Sequence, residues 1–499
     1  MLKPKANYLN LPEASVATPA ASPRIISRSE HSVSRSKISP NALRVLYRLR
    51  DAGFMGFLVG GCVRDLLLGI EPKDFDVATD AQPEQVKRLF RNCRLVGRRF
   101  RLAHVFFGRE IIEVATFRAT SAPSQGDEPL PPADPEDGEA AEMDEALEDE
   151  STGPRGGIVG ESEGNDSTER MLDAAGRILR DNLYGTIDED VWRRDFTANA
   201  LYYNIADFSI WDYVNGAQDI AARTLRLIGD PETRFREDPV RMLRAARFEA
   251  KLGFKIDPAT AAPMGPLREL LASVPPARLF DETLKLFLNG HGARSFEVLR
   301  RRGLLAALLP SVDAYFRTHP GSLVEKLLLQ GLENTDARVL ADKPVTPTFL
   351  FALLLYGPIA GIIEATPPQR WHEMSTILEA CDRATREAQT RIAIPKRFSL
   401  GVREMFALQP RLEHPRGRRA LRVLEHPRFR AAYDLLLLRA QFGLAAREMA
   451  AWWTRLQEVN AEERGRMADA LAGETRAAPG PSGPRRRRRR RRPGAPSSV

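Results

Sequence analysis

Cysteine is scarce in this chain, with three in 499 residues: Cys62, Cys93 and Cys381. Spacings that wide exclude a compact zinc cage and a disulfide framework, and they fit a reducing compartment. Long apolar runs are also missing. The longest, residues 349–356, ends at Gly357-Pro358, far short of the roughly 20 residues that span a bilayer. Lys3 and Lys5 have no apolar stretch behind them, so no secretory signal is expected. His372-Glu373 lacks the second histidine of a zincin helix, and no Gly-x-Ser-x-Gly elbow occurs, which removes two hydrolase chemistries. The expectation is a soluble, cytoplasmic protein without a transmembrane segment.

The net charge of +8 misleads, because residues 485–492 are eight consecutive arginines. Without them basic and acidic side chains are equal at 66 each. A polyarginine block cannot bury apolar surface, so it is expected to be disordered, and it suits a polyanion such as RNA. Residues 127–150 are the opposite case, crowded with Asp and Glu and without an aromatic residue. They read as a disordered acidic insertion, either a solvated loop or an internal polyanion mimic.

At this length about three domains are expected. Residues 1–36, rich in Ser, Pro and Arg, read as an arm without its own core. Ser39-Pro40 predicts a helix start, with Leu43, Leu46, Tyr47 and Leu49 as its apolar face. Strands are predicted at 57–59, 75–78, 95–96, 104–107 and 111–116, and a helix at 83–90, a small unit of interleaved strands and helices. Beyond residue 275 nearly everything reads as helix, for example 278–288, 295–309 and 429–442.

The chemistry concentrates in four places. Gly60-Gly61 closes an apolar strand and opens a short helix ended by Gly69, a turn suited to phosphate, although most such turns are merely tight. Asp74 and Asp76 follow, placed on one strand face by the period of two. Two carboxylates that close repel each other, and Mg²⁺ with substrate phosphates relieves that repulsion. Arg193-Arg194-Asp195 offers a fork for phosphate beside an acid, or a surface ion-pair cluster. Asp238-Pro239 with Arg241, Arg244 and Arg247 reads as a capped helix presenting carboxylate and guanidinium either to a base edge or to each other. Glu113, on a predicted neighbouring strand, faces either the metal or solvent.

Together these residues resemble a known family. Leu58-Val59-Gly60-Gly61-x-Val63-Arg64-Asp65 with Asp74-x-Asp76, then Arg193-Arg194-Asp195-Phe196-Thr197, then Glu237-Asp238-x-x-Arg241-x-x-Arg244-Ala245-x-Arg247-Phe248, are similar to the ordered motifs of class II nucleotidyltransferases, the CCA-adding enzymes and bacterial poly(A) polymerases. The basic segment 95–105, residues 181–190, residues 328–336 and residues 424–427 resemble the poly(A) polymerase branch. The resemblance implies an α+β fold. A polymerase-β-like nucleotidyltransferase head occupies 37–205, interrupted by the disordered insertion 121–175, and a neck with a base-recognition helix occupies 206–275. An all-α, RNA-binding body and tail at 276–460 and a disordered arginine-rich tail at 461–499 complete it.

The resemblance also implies roles. Asp74 and Asp76 bind two Mg²⁺ ions, and Asp195 completes the catalytic set. Gly60, Gly61 and Arg64 hold the triphosphate, Arg194 reads the ribose, and Asp238 with Arg241 and Arg244 takes the nucleotide base. Cys62 stands where related polymerases often carry glycine. ATP is the implied substrate and RNA 3′ ends, of messenger and small RNAs, the acceptor. RNA-decay machinery or an RNA chaperone is the implied protein partner. A CCA-adding enzyme and a non-catalytic RNA-binding protein are the alternatives.

Overall fold

The computed structural model describes residues 22–97, 101–119, 170–172, 178–181 and 184–477, which divide into two compact units between Val274 and Pro275. The acidic run 127–150, Arg98-Arg99-Phe100 of the basic segment and the eight arginines lie outside the described residues.

The first unit is built on an eight-stranded sheet. Its strands are β1 (Arg24–Ile26), β2 (Gly56–Val59), β3 (Asp76–Thr79), β4 (Cys93–Val96), β5 (Leu102–Phe107), β6 (Glu110–Thr116), β9 (Leu201–Asn204) and β10 (Ile210–Asp212). Between β6 and β9 a separate antiparallel pair forms from β7 (Arg170–Leu172) and β8 (Ile178–Asp181). The order across the sheet is β1-β10-β9-β2-β3-β6-β5-β4, and β3 with β6 is its parallel pair. The predicted strands all recur, within a few residues at their ends.

Helix α1 (Pro40–Asp51) starts as expected, with Ser39 Oγ accepting from the Asn41 N–H at 3.1 Å. Its buried face is Ala42, Val45, Leu46 and Leu49, rotated from the predicted stripe, so Leu43 and Tyr47 are only half-buried. Helix α2 (Gly61–Leu67) leaves β2 directly, and α3 (Pro83–Leu89) joins β3 to β4. After the insertion come α4 (Ile187–Arg193) and α5 (Gly216–Ala221). Phe57, Phe117, Val191 and Tyr202 pack into one buried cluster that ties β2, α4 and β9 together.

The arm ends earlier than expected. Residues 24–26 add a strand to the β10 edge, and Ile26 and Val33 are buried. Three residues of strand are too short to show an alternation in sequence. Past the sheet, α6 (Pro231–Glu237) and α7 (Val240–Leu252) form a helical pair, followed by α8 (Pro258–Ala261) and α9 (Met264–Leu267). Beside them β11 (Thr224–Leu225) pairs in parallel with β12 (Lys255–Ile256).

The second unit is helical throughout its described residues, from α10 (Pro276–Phe287) to α22 (Ala461–Ala477). The helix expected over 295–309 is two, α11 (Gly292–Arg301) and α12 (Leu304–Leu308), broken where Gly303 takes φ +69°. The expected tail begins instead with a helix, because Ala468 is fully buried. Among the described residues no single helix is long and apolar enough to cross a membrane.

Candidate active site

The site forms where β2 turns into α2, against the start of β3. Gly60 has φ +80° and ψ −137°, a region closed to residues with a Cβ. A Cβ there would stand 3.6 Å from Asp76 Oδ2 and 4.0 Å from Arg194 Nη1. The glycine corner, the acid of β3 and the second arginine of Arg193-Arg194-Asp195 thus share one small space, although 134 residues of sequence separate Gly60 from Arg194.

Asp76 is the first residue of β3, flanked in register by Val59 of β2 and Glu113 of β6. Burial, then the charges of Glu113 and Asp74, push its carboxyl up to about 6 against the pull of Arg194. Asp74 lies ahead of the strand and is exposed, so the strand rule that put both acids on one face does not apply to it. Glu113 is therefore the acid across the ladder from Asp76, and its side chain is half in solvent, 3.6 Å from His104 Nε2. Among the described residues no three His, Cys, Asp or Glu side chains gather to enclose a metal. A mutually repelling set of carboxylates still fits a hard divalent cation that takes the rest of its shell from water and phosphate.

Arg194 is fixed from behind. Its Nε donates to Tyr202 Oη at 2.7 Å and its Nη2 to Asp190 Oδ2 at 2.9 Å, while Tyr202 Oη donates to the same Asp190 oxygen at 2.6 Å. Burial opposes its charge, but Tyr202 and Asp190 hold its pKa above the ordinary arginine value. Nη1 is left toward Gly60. Cys62 donates its thiol to Val59 O at 3.2 Å, and burial pushes that thiol up to about 12, so it is an inert small side chain at this bend.

Asp195 is held from α7 and from its own backbone neighbour. Its Oδ2 accepts from Arg244 Nε at 2.7 Å and its Oδ1 from the Phe196 N–H at 2.8 Å. Burial raises its pKa, and the Arg244 guanidinium outweighs that and holds it below the usual carboxylate range. The acids whose charges act on Asp76 are Glu113 and Asp74, not Asp195. Arg64 is 2 % exposed, donates to Asp65 and Asn199, and lies 5.5 Å over the Phe248 ring. Its guanidinium, engaged by Asp65 and Asn199, lies against Gly61 of the turn.

Helices α6 and α7 carry the remaining candidates. Asp238 Oδ1 accepts from the Val240 N–H at 3.3 Å, the capping role open to it from sequence. Arg241 is buried, and its Nη1 donates to Glu237 Oε2 at 3.0 Å and to Arg234 O at 2.8 Å. Arg247 packs 4.7 Å over Phe248. Sequence reading missed Arg234. Its Nη2 donates to the carbonyls of Arg193 (3.0 Å) and Arg194 (2.7 Å), and its Nη1 to Glu237 at 2.8 Å. Burial, then the neighbouring Arg241, push its pKa down to about 10. Its position four residues before Asp238 is the signal that was available. Arg234 and Arg244 together lock the Arg193–Asp195 segment onto the two helices.

The sequence family described as poly A polymerase head domain matches residues 56–226, that described as probable RNA and SrmB-binding site of polymerase A matches 253–316, and polymerase A arginine-rich C-terminus matches 369–493. Poly(A) polymerase I of Salmonella typhi is 44% identical over 464 residues, covering 92% of this chain and 90% of that protein. The CCA-adding enzyme of Lactobacillus helveticus is 32% identical over 257 residues, 52% of each chain. A solved tRNA-processing enzyme, 19% identical, superimposes with TM-score 0.52 over 86% of this chain and 99% of its own, a likeness of fold. That fold is α+β, a nucleotidyltransferase head followed by helices. With the glycine corner, the Asp76 strand and the Arg193–Asp195 segment in place, the chain belongs to the poly(A) polymerase I family.

Proposed function

We propose that this protein adds AMP from ATP to RNA 3′ ends without a template. The observation that carries the reading is the convergence of the Gly60 corner, Asp76 and Arg194 Nη1 within about one phosphate's width. In the reaction the RNA 3′ oxygen attacks the α-phosphorus of ATP, its proton leaves to solvent, and the bond to the β-phosphate breaks to release pyrophosphate. Two Mg²⁺ ions at Asp74 and Asp76, when bound, supply the charge that steadies the attacking oxygen and the leaving pyrophosphate. Gly60 lets backbone approach the triphosphate closely, and Arg194, held rigid by Asp190 and Tyr202, donates toward it. Glu113, not Asp195, is the acid beside Asp76, and Asp195 orients Arg244 of α7. Asp238 and Arg241 are the candidates for the adenine edge, with Glu237 fixing Arg241.

Similarity to poly(A) polymerase I over nine-tenths of the chain, against half for the CCA-adding enzyme, supports the poly(A) branch. RNA-decay machinery or an RNA chaperone remains the protein partner class proposed, and the match at 253–316 supports RNA itself as a partner. Three buried, free cysteines support work in a reducing, cytoplasmic setting. The test is D74A/D76A in the full chain. Tailing of RNA with ATP should disappear while RNA affinity stays within about twofold, because phosphate contacts to RNA do not use these acids. Tailing that survives contradicts the reading.

A further inference from the structure

A row of polar side chains runs sideways across the sheet of the first unit, starting at the acid of the active site. Asp76 of β3 stands beside Glu113 of β6, Glu113 beside His104 of β5, and His104 beside Arg94 of β4. Residues paired in register share a face of the sheet, so these side chains project together. Their face is the open one. Ile111, two residues from Glu113 on the same face, is exposed, whereas Val105, Ile112 and Val114 on the opposite face are buried. The row passes from two carboxylates through an imidazole to a guanidinium.

Glu113 acts on Asp76 more strongly than Asp74 does, yet its side chain is 49 % exposed. Left alone, such a side chain spreads over many rotamers. Its partner among the described residues is His104, whose Nε2 lies 3.6 Å from Glu113 Oε1. His104 is the better fixed of the two. Its side chain is 22 % exposed, its ring meets the edge of Phe106 with centroids 6.3 Å apart, and Arg94 lies 5.7 Å over the same Phe106 ring. An imidazole nitrogen that carries a proton can donate to a carboxylate in the neutral or the charged ring, so the tether does not require a charged histidine. It engages one oxygen of Glu113 and leaves the other for a cation. Carboxylates that bind metal are commonly fixed by such an outer partner.

We propose that His104 is a positioning residue for the tailing site: by holding one oxygen of Glu113, it keeps that carboxylate in the row beside Asp76, where both meet the divalent cation. The proposal rests on the RNA-tailing reading for the chemistry that uses the cation. His104 touches neither nucleotide nor RNA in this role, and its effect reaches the reaction only through Glu113.

The experiment follows the melting temperature of the full chain as Mg²⁺ is added, without ATP or RNA, for the parent, H104A, H104Q, E113A and H104A/E113A. Removing the outer partner of a metal-binding carboxylate weakens binding by about 10–100-fold, so the Mg²⁺ midpoint of H104A should rise at least about tenfold. H104Q keeps an N–H at similar reach and should stay within about threefold of the parent. On the E113A background H104A should add nothing, because the path runs through Glu113. Tailing at limiting Mg²⁺ should fall in H104A and recover as Mg²⁺ is raised, with KM for RNA unchanged. A merely structural histidine would lower melting in chelator and leave the Mg²⁺ midpoint where it was. Equal midpoints in the parent and a folded H104A, or the same rise on the E113A background, overturn the proposal. A shifted midpoint in a chain whose parent never tails RNA condemns the proposed function instead.

Discussion

The Cβ that Gly60 lacks would stand 3.6 Å from Asp76 Oδ2. Glycine at 60 thus does two things at once: it supplies the φ of +80° and it leaves the space in front of the acid empty. G60A should cost about 1–2 kcal/mol of stability from the strained backbone. Tailing should fall by two orders of magnitude or more, because the added methyl occupies the phosphate's approach. Melting curves and initial rates, measured side by side, separate the two losses. A G60A protein with near-normal rate contradicts this placement.

Asp76 makes the site unstable by itself. Its folded pKa of about 6 lies above the ordinary 3.8, so the native state holds the proton more tightly than the unfolded chain. The penalty is full above pH 6 and fades as pH falls toward 4. In chelator, D76N should therefore be more stable than the parent at pH 7.5, by on the order of 1–2 kcal/mol. The gain should vanish near pH 4, and adding Mg²⁺ should stabilise the parent and not D76N. Equal melting of the two proteins at pH 7.5 in chelator argues against the crowded carboxylates.

Asp195 and Arg244 form a partly buried pair, with side chains 10 % and 35 % exposed. R244M leaves the acid without its cation and should cost about 2 kcal/mol, below the 3–5 of a fully buried pair because Arg244 reaches solvent. The folded pKa of Asp195 is depressed, so the pair's contribution is present at neutral pH and is lost only as pH drops below the usual carboxylate range. Denaturant melts of parent and R244M should differ at pH 7 and converge in acid.

Glu237 accepts from both Arg234 and Arg241 through one oxygen. E237A leaves two guanidiniums facing each other with no acid between them. KM for ATP should rise about tenfold and discrimination against CTP should weaken, since a misplaced Arg241 no longer selects a base edge. Steady-state kinetics with each nucleotide reads this directly. A change in kcat alone places Glu237 outside nucleotide selection.

The strands of the head were legible because apolar residues mark them, and the glycine corner because few residues tolerate it. The partners of charged groups were not. Arg64 reads the same whether it meets phosphate or pairs with Asp65 and Asn199, since Asn199 lies 135 positions away. Asp195 likewise gives no hint that Arg244, 49 residues on, takes it. The alternation rule failed at Asp74 because β3 begins at Asp76, and strand ends depend on ladder pairing that sequence does not display. Arg234 escaped notice because two of its three partners are backbone carbonyls, which every residue has.

The most direct test of the central claim incubates the protein with a generic RNA primer, with a tRNA lacking its end, and with ATP or CTP separately. The account predicts long homopolymeric A-tails on the primer from ATP alone and little addition from CTP. Extension of the tRNA by CCA and then no further, with the generic primer untouched, would contradict it.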